Sequence, residues 1–187
     1  MWSFQHQAVV PVSGVAAFMT RLQAQAGMGA RALEFDILPG ARSGEVRCAV
    51  WSEIGIDKAL WTAAAKRMKA GFEHCVPLNV PAPNLLGKLQ ASMCNQTSEL
   101  IFPGTRSPSS HMSLTAVPRR MRVPATAHGF RSSFRDWAAE LTAYPNEVAE
   151  RALAHAVSDK VEAACRRGDL FDERVAVMAD WAQLLGG

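Results

Sequence analysis

A chain of 187 residues with 49% hydrophobic and 20% charged residues is long enough to bury a core, and one domain is the expectation. Its four cysteines, Cys48, Cys75, Cys94 and Cys165, have no paired short spacing, which argues against a zinc site or a disulfide framework. No long apolar run or secretory leader is read, so the cytoplasm, without membrane contact, is the expected compartment. The net charge of +3 permits a polyanionic partner without demanding one.

In chain order, residues 1–7 lack periodicity and are expected to be a linker remnant, leaving residues 8–187 as the domain. A helical pattern opens at Val12-Ser13-Gly14, passes through Ala17, Phe18, Leu22 and Ala26, and ends near Gly27. A second runs over residues 30–38 and stops at Pro39-Gly40. Ser43 is placed to cap a short helix carrying Glu45 and Arg47.

Residues 59–62 and 74–78 read as strands, joined by a basic turn holding Lys66, Arg67 and Lys69. Residues 81–92 return to helix with Leu85, Leu86 and Leu89 inward. A short apolar piece over 99–102 precedes a polar loop at 105–110. Helical spacing resumes over 112–121, although Pro118 should kink or end that helix.

Residues 127–137, Ala-His-Gly-Phe-Arg-Ser-Ser-Phe-Arg-Asp-Trp, are the most informative stretch. On a helix, His128, Arg131 and Arg135 stack along one face, and Phe130, Phe134, Trp137, Ala138 and Leu141 line another. Such a row suits an anionic oxygen centre, because arginine forks onto phosphate oxygens and histidine can move a proton. A solvated surface helix is the plainer alternative.

Pro145 starts a further helix containing Val148, Leu153 and His155; residues 160–167 form a short one. Residues 171–185 form a last helix with Val175, Met178, Trp181 and Leu185 inward. The expected fold is mixed α+β, mainly α-helical, with a small antiparallel β-sheet.

The order of Gly40-Ala41-Arg42-Ser43-Gly44-Glu45-Val46, a hairpin lysine, His128-Gly129-Phe130-Arg131 and Leu153-Ala154-His155 resembles the catalytic domain of tyrosine recombinases. Phe134-Arg135-Asp136-Trp137-Ala138 and Arg166-Arg167-Gly168-Asp169-Leu170-Phe171 sharpen the likeness towards prophage and genomic-island integrases. The resemblance runs from about residue 6 to about residue 185 and implies the tyrosine-recombinase catalytic-domain fold. Members also carry amino-terminal arm- and core-binding domains, which are expected to be absent here.

The resemblance further implies that Arg42 and Arg131 clamp the scissile phosphate and neutralise charge growing on its oxygens. Lys69 then matches the general acid for the departing 5′ oxygen, His128 the histidine assisting proton transfer, and His155 a second phosphate ligand. Glu45 orients an active-site side chain. Lys66, Arg67, Arg135 and Arg166 are DNA contacts in this reading, while His6, His74 and His111 keep ordinary structural roles.

The implied partner is double-stranded DNA at attachment sites, with self-association on DNA through the C-terminal segment and no metal or other cofactor. One position departs. Where the family carries its nucleophilic tyrosine, this chain has Cys165, in Ala163-Ala164-Cys165-Arg166-Arg167. A thiolate beside arginines would be favoured. Its sulfur, however, reaches roughly 4 Å less far than a phenolic oxygen, and misplacement by about 1 Å already costs on the order of a hundredfold. The expected function is the catalytic domain of a phage-type integrase, impaired at Cys165. A DNA-binding remnant without chemistry, and a protein-interaction module using the C-terminal helix, are the alternatives.

Overall fold

The computed structural model describes residues 9–65, 71, 73–93, 98–104, 111–154 and 170–186. The linker expected at 1–7, the basic turn with Lys66, Arg67 and Lys69, Cys94 and the loop at 105–110 lie outside these residues. So do His155 and the short helix at 160–167 with Cys165, Arg166 and Arg167.

The elements are α1 (Val12–Gln23), α2 (Met28–Ile37), α3 (Ser43–Arg47), a 3-10 turn (Trp51–Glu53), β1 (Ile54–Gly55), β2 (Leu60–Ala63) and β3 (His74–Pro77). After the strands come α4 (Pro81–Ser92), α5 (His111–Arg120), α6 (Ala127–Leu141), α7 (Asn146–Ala152) and α8 (Phe171–Leu184). The fold is mainly helical with one antiparallel sheet of order β1-β2-β3. Trp61 stands opposite both Ile54 and Val76, and alternation turns Trp61 and Ala63 into the core. β1, only two residues long, has no alternation for a sequence reading to detect.

The packing centre is α2. Every residue from Ala32 to Ile37 is buried, and the helix touches α1, α3, α4, α5 and α6. Burial round the whole helix, Glu34 and Asp36 included, marks it as enclosed by its neighbours. Phe35 meets both Trp61 and Phe102 with ring centroids 5.5 Å apart, joining helix, sheet and the 98–104 segment. Trp181 Nε1 donates to the Ile37 carbonyl at 3.0 Å and Asn79 Nδ2 to that of Leu38 at 2.7 Å. The carbonyls that α2 leaves open at its C-terminus thereby pin α8 and the β3–α4 junction against it.

Several expectations are corrected. The first helix ends at Gln23 rather than near Gly27, because Arg31 donates to the carbonyls of Leu22, Gln23 and Gln25 and closes that end. Ser43 is the first residue of α3, and its N-cap is Arg42. Pro118, expected to kink or end its helix, stands in the last turn of α5, which ends two residues later as expected. Pro145 lies just outside α7 as its N-cap, and Leu153 is the C-cap rather than an interior residue.

Leu141 is 65% exposed: Phe134 and Trp137 complete their packing on Trp181, and the last residue of α6 runs past that edge. Val175 is 44% exposed because the buried stripe of α8 is Arg174, Val177, Met178, Trp181 and Ala182, one residue out of phase with it. That stripe packs against α7 and β3 of the same chain. Among the described residues no helix is long and apolar enough to cross a membrane.

Candidate active site

The site begins where α2 stops. Gly40 has φ +60, and a Cβ there would lie 3.2 Å from Leu153 Cδ2 and 3.9 Å from the Phe134 ring. Both the left-handed backbone and the close approach require glycine. Gly40→Ala is therefore expected to cost about 1–3 kcal/mol, read as a lowered urea midpoint at unchanged m value. A shift below a few tenths would show that the turn relaxes freely.

Two residues on, Arg42 takes an extended conformation as the N-cap of α3. Glu45 holds it at both ends: Oε2 accepts from the Arg42 amide at 3.3 Å, and Oε1 from Nη1 at 2.9 Å. The other terminal nitrogen, Nη2, donates to the Ala154 carbonyl at 2.9 Å. The Arg42 side chain stays 27% exposed.

Arg131 approaches from α6, whose first turn is fixed by Thr126 Oγ1 accepting from the Gly129 amide at 3.0 Å. Its Nη1 donates to the Gly40 carbonyl, and Nη2 to that of Leu153 at 2.7 Å. One guanidinium thus ties the end of α2 to the end of α7. Ala154, whose carbonyl receives Arg42, has φ +51, a conformation costly for a residue with a Cβ and common where function constrains the chain.

Burial, and next the neighbouring Arg42 charge, lower the pKa of Arg131 to about 10, against the opposing pull of Glu45, Asp36 and Glu150. It remains protonated at neutral pH. Two like charges are thus held together by main-chain carbonyls and a carboxylate, and a bound anion would relieve their repulsion.

The row expected along α6 divides into different environments. Arg131 is buried, whereas His128 is exposed in the first turn and Arg135 is exposed and paired with Glu150 at 2.9 Å. Tyr144, the only tyrosine, donates its hydroxyl to Asp180 at 2.8 Å in a groove lined also by Trp137 and Leu141. No residue of that groove belongs to the arginine cluster.

Sequence reasoning missed Arg174, whereas Asp36 and His74, read with no part in the site, also lie close to it. Asp36 is 1% exposed in α2, and neither carboxyl oxygen has a hydrogen-bond partner. Burial raises its pKa well above the ordinary value, opposed by Arg131 and reinforced by Glu45. Arg174 is fully buried, donates through Nη2 to the Cys75 carbonyl at 3.0 Å, and lies 5.4 Å over the Phe171 ring. His74 opens β3 with its Nε2 buried without a partner, and burial, then the charge of Arg174, lower its pKa to about 4. Strict helical period would have placed Arg174 inside, since it stands three and seven residues before Val177 and Trp181. Among the described residues no group of acidic, histidine or cysteine side chains is gathered to hold a metal.

No family model matches the sequence. The chain is 32% identical to an integrase of Enterobacteria phage P4, over 97% of this chain and 46% of the relative. It is 30% identical to the prophage integrase IntA of Escherichia coli K12, over 81% of this chain and 37% of the relative. The chain thus spans about half or less of the length of these two relatives.

Two solved structures share the fold, both with a TM-score of 0.58. A lambda integrase (75–356) dimer bound to a COC′ core site is 20% identical over 82% of this chain and 59% of that one. A lambda integrase tetramer bound to a Holliday junction is 21% identical over 86% and 51%.

Proposed function

Because the chain belongs to the tyrosine recombinases, as a catalytic domain of the phage and prophage integrase type, we propose that it is built to break and rejoin double-stranded DNA at specific sites. Residues 8–187 make up that domain in this reading. The observation that carries it is the convergence of Arg42 and Arg131 on adjacent carbonyls of one turn, Ala154 and Leu153. Two forked donors so placed can neutralise the non-bridging oxygens of a phosphodiester as the pentavalent transition state forms.

His128 is the proton-transfer histidine and Glu45 the side chain that orients Arg42. Lys69 protonates the departing 5′ oxygen, and His155 adds a phosphate hydrogen bond; these two roles rest on the sequence motifs. In the family reaction a phosphorus–oxygen bond to the tyrosine forms as the bond to the 5′ oxygen breaks, so each linkage is exchanged for another and no cofactor is needed. Lys66, Arg67, Arg135 and Arg166 supply contacts along the DNA backbone, and their contribution should fall with salt. Self-association on DNA through the C-terminal segment belongs to the same reading, and α8 leaves Phe171 and Val175 exposed for it.

Cys165 occupies the nucleophile position of the motif, and its short side chain leaves the chain impaired in strand cleavage. The test is a covalent-adduct assay on nicked supercoiled and linear DNA at low salt, comparing the native chain with Cys165→Tyr. Adduct formation by the tyrosine variant alone is the expected result. An adduct on the native chain that maps to Cys165 would overturn the impairment. Failure of both variants, with DNA binding retained, would leave a domain that holds DNA without cutting it.

A further inference from the structure

Four arginines gather where α5 ends. Arg119 and Arg120 are exposed in its last turn, and Arg122 is exposed just beyond it. Arg21 of α1 donates through Nη2 to the Met121 carbonyl between them at 2.7 Å. Among the described residues no acidic side chain pairs with any of the four.

The backbone closes this helix end as a Schellman turn. The Arg122 amide donates to the Arg119 carbonyl at 3.0 Å, and the Val123 amide to that of Pro118 at 2.9 Å. Arg122 holds the left-handed position of the turn, with φ +56. Glycine is the ordinary residue there, because a Cβ crowds the following carbonyl. Cations in a last turn favour the helix dipole, which accounts for Arg119 and Arg120 without further purpose. Arg122 lies past the helix, where glycine closes the same turn at less cost. A side chain kept at a strained, exposed position points to a contact outside the domain.

We propose that Arg122, with Arg21, Arg119 and Arg120, forms a second contact to the DNA backbone, separate from the Arg42–Arg131 clamp. It rests on the reading of the chain as a DNA-cleaving domain. The position of the patch supports it. α5 packs against α2 and α3, and Arg42 is the N-cap of α3. From Arg122 the chain reaches His128, in the first turn of α6, in six residues, a span of at most about 20 Å. A duplex carries one phosphate charge per about 1.7 Å of axis, so DNA held at Arg42 and His128 offers oxygens along that whole span. Guanidinium forks suit those oxygens and read no base, so the patch adds affinity rather than sequence choice.

The test is binding of a fluorescein-labelled linear duplex, followed by anisotropy across a salt series, with urea unfolding alongside. The variants are Arg122→Gly, the triple Arg119→Gln/Arg120→Gln/Arg122→Gln, Lys88→Gln and Arg42→Ala. Each lost phosphate contact lowers the slope of log affinity against log salt by about 0.9, so Arg122→Gly is expected to lose about one unit and the triple variant about two to three. Arg122→Gly is also expected to raise the urea midpoint, since glycine takes φ +56 without strain. Weaker binding by a more stable protein is an outcome that a merely structural arginine would not produce. Lys88→Gln removes one exposed charge from α4 and should keep the native slope. An equal fall in Lys88→Gln would reduce the effect to net charge and overturn the contact. A native slope in the triple variant, with Arg42→Ala weakened, overturns the patch alone. Absence of DNA binding by the native chain at low salt removes the DNA-cleaving reading, and the patch with it.

Discussion

Arg131→Met is expected to lose about 3–5 kcal/mol of folding stability, the scale for removing one member of a buried charged cluster. Methionine occupies a comparable volume, so the loss is electrostatic and hydrogen-bonding rather than steric. The substitution leaves the Gly40 and Leu153 carbonyls without the guanidinium that joins them, separating the end of α2 from the end of α7. It also removes the cation that partly offsets the burial of Asp36. Urea unfolding followed by tryptophan fluorescence gives the number directly, and Trp181 and Trp137 lie in the same core to report it. A loss below about 1 kcal/mol would show that these contacts are exchanged for water without penalty. Combining Arg131→Met with Asp36→Ala should be less damaging than the sum of the two single effects predicts, because the double variant no longer strands a carboxyl.

Asp36→Ala is expected to act in the opposite direction, raising stability at pH 7 by about 1–3 kcal/mol, the range for relieving a buried polar group that has no hydrogen-bond partner. The pH dependence follows from the direction of its shift. The folded-state pKa lies well above the ordinary 3.8, so the folded chain retains a proton that the unfolded chain releases. The contribution of Asp36 to stability is therefore most favourable below pH 3.8 and is lost as pH rises towards the raised folded value. In the alanine variant that decline disappears, so the two unfolding curves should diverge with increasing pH. Equal or lower stability of Asp36→Ala across the range would mean that the carboxyl supports Arg131 by more than it costs to bury.

Element type was largely legible in the sequence because it is carried by local signals. Pro81 at the start and the Leu85, Leu86 and Leu89 spacing define α4, and both expected strands appear within a residue or so of their place. The fold brings Arg42, Glu45 and Arg131 together from segments far apart in the chain, and the integrase relatives carry the family assignment. Errors arose where a partner distant in the chain decides. Leu141 and Val175 satisfy apolar spacing yet face outward, since Trp181 ends the packing on α6 and Arg174 takes the inward place on α8.

By itself the sequence determined the helix-rich composition and the small antiparallel sheet, because periodicity and turn residues are properties of neighbours in the chain. Tertiary structure alone decided that α2 is the packing centre, that Asp36 is enclosed beside Arg131, and that Arg42 and Arg131 share a turn of carbonyls. Those outcomes depend on which side chain meets a helix end 112 residues away in the chain, as Arg42 meets Ala154. No local pattern encodes such a meeting; it exists only once the hydrophobic faces have closed and their remaining carbonyls have found donors.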